Sequence, residues 1–201
     1  MRLLVVLFGY LCGSIPWGVL LARRAGVDVR HAGSGNIGAT NVARTAGARL
    51  GVATLVADAA KGAVPTLVGL AVEPATWLAP AAGVAAFLGH LYPPTLGFKG
   101  GKGVATAAGV LAVLCPGALG VGLGVFALVL VGWRYVSLAS VLAALALVPA
   151  TLLLGYPRAV SVAALGMAAF IVARHRDNFR RLRAGTESRF RVPGKQALPG
   201  N

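Results

Sequence analysis

Three polar stretches interrupt an otherwise apolar chain, and each carries residue types suited to holding an anion. The first is Gly33-Ser34-Gly35-Asn36-Ile37-Gly38, followed closely by Thr40, Asn41 and Arg44. It satisfies the G-x-G-x-x-G expression of a dinucleotide-binding turn, and Asp58 follows at about the spacing of a ribose contact. That chemistry needs a buried strand feeding the turn. Here an apolar run and Arg23-Arg24 precede it, and Asp58 lies in the next apolar run, so the stretch is not a Rossmann fingerprint. Its glycines still expose backbone N–H groups that can converge on an anion. Ser34, Asn36, Thr40 and Asn41 add side-chain donors and Arg44 adds charge.

The second stretch runs from Gly89 to Thr106 and contains Lys99-Gly100-Gly101-Lys102-Gly103. It is not a Walker A loop, because Gly103 follows Lys102 where Ser or Thr is required. Its physics is related: paired glycines let backbone donors approach a phosphate, and the loop opens onto the N-terminus of a helix whose dipole favours an anion. The third stretch, Arg174 to Glu187, places His175 and Asn178 three apart, on one face of a helix. Asp58 and Lys61 stand close together within the second apolar run, as a pair or as the lining of a polar cavity. The turn from Arg134 to Ser140 has hydroxyls to offer the same site. There is no H-E-x-x-H, cysteine–histidine cluster or carboxylate-rich set, and no metal site is expected.

The elements that position these residues follow from composition. With 57% hydrophobic residues, 12% charged and 28 glycines in 201, the chain is far more apolar than a domain surrounded by water. It reads as an all-α membrane protein forming a single membrane-embedded domain over 1–201, without a polar linker. The net charge of +14 is then assigned to the cytoplasmic side of a membrane and its anionic lipids, not to nucleic acid, because no basic motif is interleaved with aromatics. Cys12 and Cys115 lie in apolar runs and are read as free thiols. The first run is too long for a signal-peptide core and lacks a clear small-residue cleavage site, so it is expected to remain as a span.

Apolar runs occupy about 3–22, 50–72, 75–96, 104–115, 117–133, 136–155 and 158–173. The fourth is short, ending at Pro116-Gly117, so 104–133 is either one kinked span or two. Charge decides. Basic clusters at 23–49, 99–102 and 174–195 must share the cytoplasmic side, and they do so only if 104–133 crosses twice and the amino terminus starts outside. The reading is a seven-transmembrane-helix bundle with short or tilted fourth and fifth helices and a cytoplasmic carboxyl terminus. Arg2 and Arg158 are left outside as exceptions. Gly117, Gly120, Gly122 and Gly124 are read as close helix-packing residues.

Taken together, GSGNIGATNVART (33–45), GHLYPPTLGFKGGKGVAT (89–106) and RHRDNFRRLRAGTE (174–187) closely resemble the motifs of the bacterial acyl-phosphate:glycerol-3-phosphate acyltransferase family. The resemblance runs in order over nearly the whole chain. It implies a multi-pass inner-membrane enzyme that acylates the 1-hydroxyl of glycerol 3-phosphate from an acyl phosphate, releasing phosphate, at the first step of phospholipid synthesis. It implies no cofactor, membrane lipid as surroundings, no obligate protein partner, and motifs 33–45, 97–106 and 174–187 on the cytoplasmic face.

Carried over by position, the resemblance makes Ser34, Arg44, Lys102, His175 and Asn178 catalytic. It places the acceptor against these residues and Gly100, Gly101 and Gly103, the acyl-phosphate headgroup near Thr40, Asn41 and Ser140, and Glu187 in a structural role. The H-x-x-x-x-D pattern of coenzyme-A and carrier-protein acyltransferases is absent: Asn36, Thr95 and Arg180 stand five residues after His31, His90 and His175. An activated mixed anhydride asks for orientation and charge neutralisation more than for a strong base. Arg44 and Lys102 would hold the acceptor phosphate, Ser34 and Asn178 would position it, and either His175 or the departing phosphate would take the hydroxyl proton. A transporter of a phosphorylated solute is the alternative, since it too aims broken helices at anions, although no internal repeat is present. Reporter fusions at residues 100 and 180 are expected to locate both in the cytoplasm.

Overall fold

The computed structural model describes residues 1–74 and 76–190, and among these every regular element is helical. In chain order these are α1 (Arg2–Gly13), α2 (Trp17–Arg24), α3 (Ala39–Thr45), α4 (Ala48–Val72), α5 (Leu78–Leu91), α6 (Val104–Leu114), α7 (Pro116–Trp133), α8 (Val136–Leu153), α9 (Arg158–Arg174) and α10 (Arg176–Arg183), with one 3₁₀ turn at Pro94–Leu96. Among the described residues four stretches are long and apolar enough to cross a membrane: Arg2–Arg24, α4, α7 and α8. The α9–α10 pair, bent by 49°, makes a fifth if counted as one span. Large side chains such as Leu3, Val52, Leu128, Val131 and Leu153 point outward, while Asn41, Asp58, Lys61, His90 and His175 are buried. Apolar outside and polar inside is the distribution a lipid solvent selects.

Three expected spans are reshaped. The first run is broken between α1 and α2, because Pro16 has no N–H with which to continue the helical ladder. The Ile15 carbonyl at that break accepts a hydrogen bond of 2.8 Å from Lys61 Nζ. The run 75–96 forms only the 14 residues of α5, ended by Tyr92-Pro93-Pro94, which at 1.5 Å per residue reaches about 21 Å. The 11 residues of α6 reach only about 17 Å, and α7 starts at Pro116, where a missing N–H is harmless. Both short helices are held inside the bundle by a core that includes Phe87, Leu91, Val110, Leu111, Met167 and Ile171.

Glycine sets how closely the helices approach, at positions other than those singled out above. Gly9 and Gly13 of α1 lie against the backbone of Ala82 and Ala86 in α5, and Gly109 of α6 lies against that of Ala59 in α4. Gly120 and Gly124, read from the sequence as packing residues, have nothing within 4 Å of an added Cβ among the described residues. They sit on the outer face of α7, and only Gly122, against Leu147, and Gly117, against Tyr156, have neighbours. The exception Arg2 is neutralised by Glu73 at 2.6 Å, which ties the start of α1 to the end of α4. Gly109→Val is expected to cost about 1–3 kcal/mol, read as a lower Tm in detergent, and Gly124→Val to leave Tm unchanged.

Candidate active site

The first polar stretch is folded around a side chain. Asn41 Nδ2 donates to the carbonyls of Val29, Ala32 and Asn36 at 2.9–3.0 Å, and its Oδ1 accepts from the Ser34 N–H at 2.9 Å. Gly33 sits at φ +62°, where a Cβ would also strike Asn41, so this turn requires glycine. The result is a rigid loop that leaves Ser34, Thr40 and Arg44 facing a cavity of about 360 Å³. Asn41 lines that cavity too, but its amide is consumed by the loop it organises.

The glycine loop is arranged differently from its expected role. The N–H groups of Gly100 and Gly101 do not face the cavity; they donate to Leu91 and His90 carbonyls at the end of α5, at 3.0 and 3.1 Å. This is a correction to the reading of both as phosphate donors, and its cause is the unsatisfied carbonyl end of α5. Lys102, Gly103, Val104 and Ala105 line the cavity instead. They bring the first turn of α6 to it, and among the described residues no side chain caps that turn.

Arg174 holds the loop from its other side. Its Nη2 donates to Leu91 O at 2.7 Å and Gly100 O at 3.2 Å, its Nε donates to Gly101 O at 3.1 Å, and the guanidinium lies 5.2 Å above the Tyr92 ring. The sequence reading passed over Arg174 as one basic residue of the tail. Its position directly before His175 was the available signal.

A chain of hydrogen bonds joins the second and third stretches. Lys102 Nζ donates to Asn178 Oδ1, and Asn178 Nδ2 donates to Glu187 Oε1 at 2.6 Å. Glu187 also accepts from Ser137 Oγ at 2.6 Å and from Arg181 Nε at 2.7 Å. Burial pushes the Glu187 carboxyl up, but these hydrogen bonds outweigh it and hold it below its ordinary value. Burial pulls the Lys102 ammonium down to about 8, against the attraction of Glu187. His175 is buried and pulled down to about 4, by burial first and then by the Lys102 charge, so it is neutral at neutral pH. Its Nδ1–H donates to Ile171 O at 2.7 Å, which leaves the Nε2 lone pair free.

Asp58, His90, Ser137, Ser140, Arg181 and Phe190 complete the wall. Ser140 donates its hydroxyl proton to Val136 O at 2.8 Å. Asp58 and Lys61 do pair, at 2.9 Å. His90 and Arg181 were not picked out from the sequence, because neither stands in a spacing that signals a site. Of the basic tail, Arg191 and Lys195 lie outside the described residues. A second, apolar cavity of about 70 Å³ lies between α6, α7, α8 and α9, lined by Leu111, Leu119, Leu147, Met167 and Ile171. Val104, Ala108, Leu123, Phe126 and Ser140 border both cavities, so one leads into the other.

A helical membrane bundle with a cation-lined polar cavity opening into an apolar slot is built to handle an anionic headgroup and a hydrocarbon chain together. Residues 3–185 match the family model described as glycerol-3-phosphate acyltransferase. The glycerol-3-phosphate acyltransferase of Geotalea daltonii is 48% identical over 191 residues, covering 94% of this chain and 98% of that protein. That of Anaeromyxobacter dehalogenans is 52% identical over 194 residues, covering 92% and 96%. The crystal structure of PlsY (YgiH), an integral membrane glycerol 3-phosphate acyltransferase, in its glycerol 3-phosphate form superposes with a TM-score of 0.91 at 42% identity, covering 94% of this chain and 96% of that one. Its lysophosphatidic acid form gives 0.89 at 41%, covering 94% and 95%. This chain belongs to the glycerol-3-phosphate acyltransferase family. Arg174→Ala is expected to raise amide hydrogen exchange across residues 99–103 and to cost about 1–3 kcal/mol of stability, since it takes the guanidinium away from the part-buried Gly100 and Gly101 carbonyls.

Proposed function

We propose that this chain transfers a fatty acyl group from an acyl phosphate to the 1-hydroxyl of sn-glycerol 3-phosphate, giving 1-acyl-glycerol 3-phosphate and inorganic phosphate. The observation that carries this reading is the continuity of the two cavities: the one lined by Lys102, Arg44 and His175 shares Val104, Ala108, Leu123, Phe126 and Ser140 with the apolar slot. An anionic headgroup and a fatty chain thereby reach the same point. The chain is one membrane-embedded domain of the bacterial inner membrane. It crosses seven times with its amino terminus outside, so that the motifs at 33–45, 97–106 and 174–187 meet on the cytoplasmic face. Its partners are the two substrates and the surrounding lipid.

Lys102 and Arg44 hold the acceptor phosphate, helped by the first N–H groups of α6, at Val104 and Ala105 next to Gly103. Ser34 and Asn178 orient the acceptor, Thr40 reaches the phosphoryl group of the donor, and Ser140, its proton given to Val136 O, borders the passage into the slot. Asn41 contributes by shaping the loop, and Glu187 by fixing Asn178 and Arg181. Gly100 and Gly101 contribute by presenting Lys102. The 1-hydroxyl oxygen attacks the acyl carbonyl, the new C–O ester bond forms, and the acyl–phosphate C–O bond breaks. The hydroxyl proton leaves with the phosphate. A departing phosphate is a far stronger base than a histidine held at about 4, so His175 accepts a hydrogen bond at Nε2 and aligns the hydroxyl instead of keeping the proton.

Detergent-purified protein given labelled glycerol 3-phosphate and an acyl phosphate is expected to release lysophosphatidate and phosphate in equal amounts. Flux of glycerol 3-phosphate into sealed liposomes without donor is expected to be absent, and its presence would favour transport. Lys102→Ala should lower kcat/KM for glycerol 3-phosphate by roughly 10- to 150-fold, the value of one charge-assisted hydrogen bond. Because Lys102 loses its charge as pH rises through about 8, KM for glycerol 3-phosphate should climb above that pH, and Lys102→Arg should abolish the climb. His175→Asn should keep kcat within about 100-fold of wild type, whereas a larger loss would make His175 the obligate base.

A further inference from the structure

The mechanism above leaves unused a buried polar pair in the cavity wall. Asp58 is 2% exposed and His90 is 3% exposed. Both line the main cavity. Asp58 Oδ1 and His90 Nδ1 stand 3.7 Å apart, too far for a hydrogen bond between them, and among the described residues neither atom has a hydrogen-bond partner. Lys61 Nζ is 2.9 Å from the same Oδ1 and balances its charge, but its well-directed hydrogen bond goes to Ile15 O. Polar atoms this deep are ordinarily satisfied, and each one left open costs about 1–3 kcal/mol. Two adjacent buried atoms without hydrogen bonds, on residues that line the cavity, describe a place prepared for a ligand group.

The chemistry of the two atoms selects that group. A carboxylate oxygen accepts, and the imidazole donates in the tautomer that carries its proton on Nδ1, facing Asp58, so the occupant must donate and accept at one atom. A hydroxyl does both, whereas a phosphate oxygen would be repelled by Asp58 and a carbonyl has no proton to give. The pair also lies next to the phosphate cation. The Gly101 N–H bonds the His90 carbonyl, a Cβ on Gly101 would strike the His90 ring, and Lys102 follows directly. Glycerol 3-phosphate carries its 2-hydroxyl on the carbon adjoining the phosphoester carbon.

We propose that Asp58 and His90 form a hydroxyl subsite that binds the 2-hydroxyl of glycerol 3-phosphate, and that this contact leaves the 1-hydroxyl as the one presented to the donor. The proposal rests on the acyltransferase reading and adds to it the basis of selection among phosphorylated alcohols. A site with buried groups committed to a substrate hydroxyl rejects the analogue that lacks it, because those groups are then left without partners.

The test compares kcat/KM for glycerol 3-phosphate with that for 3-hydroxypropyl phosphate, which keeps the phosphate and the terminal hydroxyl and lacks the 2-hydroxyl. Wild-type protein is expected to favour glycerol 3-phosphate by at least about 100-fold. His90→Ala should lower the rate on glycerol 3-phosphate while leaving that on 3-hydroxypropyl phosphate within about threefold, so that the preference collapses. His90→Asn, whose amide N–H stands in for Nδ1–H, should restore much of it. Equal use of both alcohols by wild-type protein would overturn the proposal and mean that the pair holds only water, and this comparison needs no variant to fold. An equal fall on both alcohols in His90→Ala would also overturn it, as a purely structural effect. Acylation of neither alcohol by wild-type protein would instead overturn the acyltransferase reading itself.

Discussion

The site depends on keeping a partly buried ammonium charged inside a bundle whose outer surface is hydrocarbon. Lys102 donates to Asn178 and is attracted by the charge of Glu187, itself held by Asn178, Ser137 and Arg181. Desolvation works against every charge in this chain, and removing one partner leaves the next buried and unmatched. The network is therefore a constraint on the fold as much as a part of the chemistry. It requires the glycine loop, the start of α8, α10 and the segment after α10 to meet at one point. It also sets the protonation of its neighbour, since the Lys102 charge helps keep His175 neutral with a free Nε2.

Around that point the bundle spends its close contacts on aligning loops. Helices α1 and α5 approach through Gly9 and Gly13, and α4 and α6 through Gly109, which brings the ends of short helices to the cavity. Helix ends then do two opposite jobs. The carbonyl end of α5 is tied off by the Gly100 and Gly101 N–H groups and by Arg174, while the N–H end of α6 stays open to the cavity. An anion is thus offered donors from α6 and shielded from the carbonyls of α5. Lys61 serves a similar purpose at the break in the first span, where it covers the Ile15 carbonyl and faces Asp58.

The family and the membrane-embedded helical class were legible in the chain because both are written in local order. Apolar run length reports a lipid surrounding, and the contiguous motifs around Ser34, Lys102 and His175 keep their spacing whatever the fold does between them. Seven apolar runs were legible too, yet among the described residues four or five helical stretches are long and apolar enough to cross a membrane on their own, and the shorter α5 and α6 are carried inside the bundle. Pro16, Pro93 and Pro94 cut runs that hydropathy alone treats as continuous.

Residue types and motif order determined which side chains were available: cations and hydroxyls at Arg44, Lys102, Ser34 and Ser137, and an imidazole at His175. Tertiary structure alone decided what each of them faces. Whether Gly100 offers its N–H to a ligand or to Leu91, whether Asn41 is a ligand or the post of its own loop, and whether His90 meets Asp58 depend on partners far away in the chain or on how a loop closes. Hydrogen bonds are short and directional, so a group's role is set by which unsatisfied atom the packing brings within about 3 Å of it, and that proximity is not encoded in any local pattern.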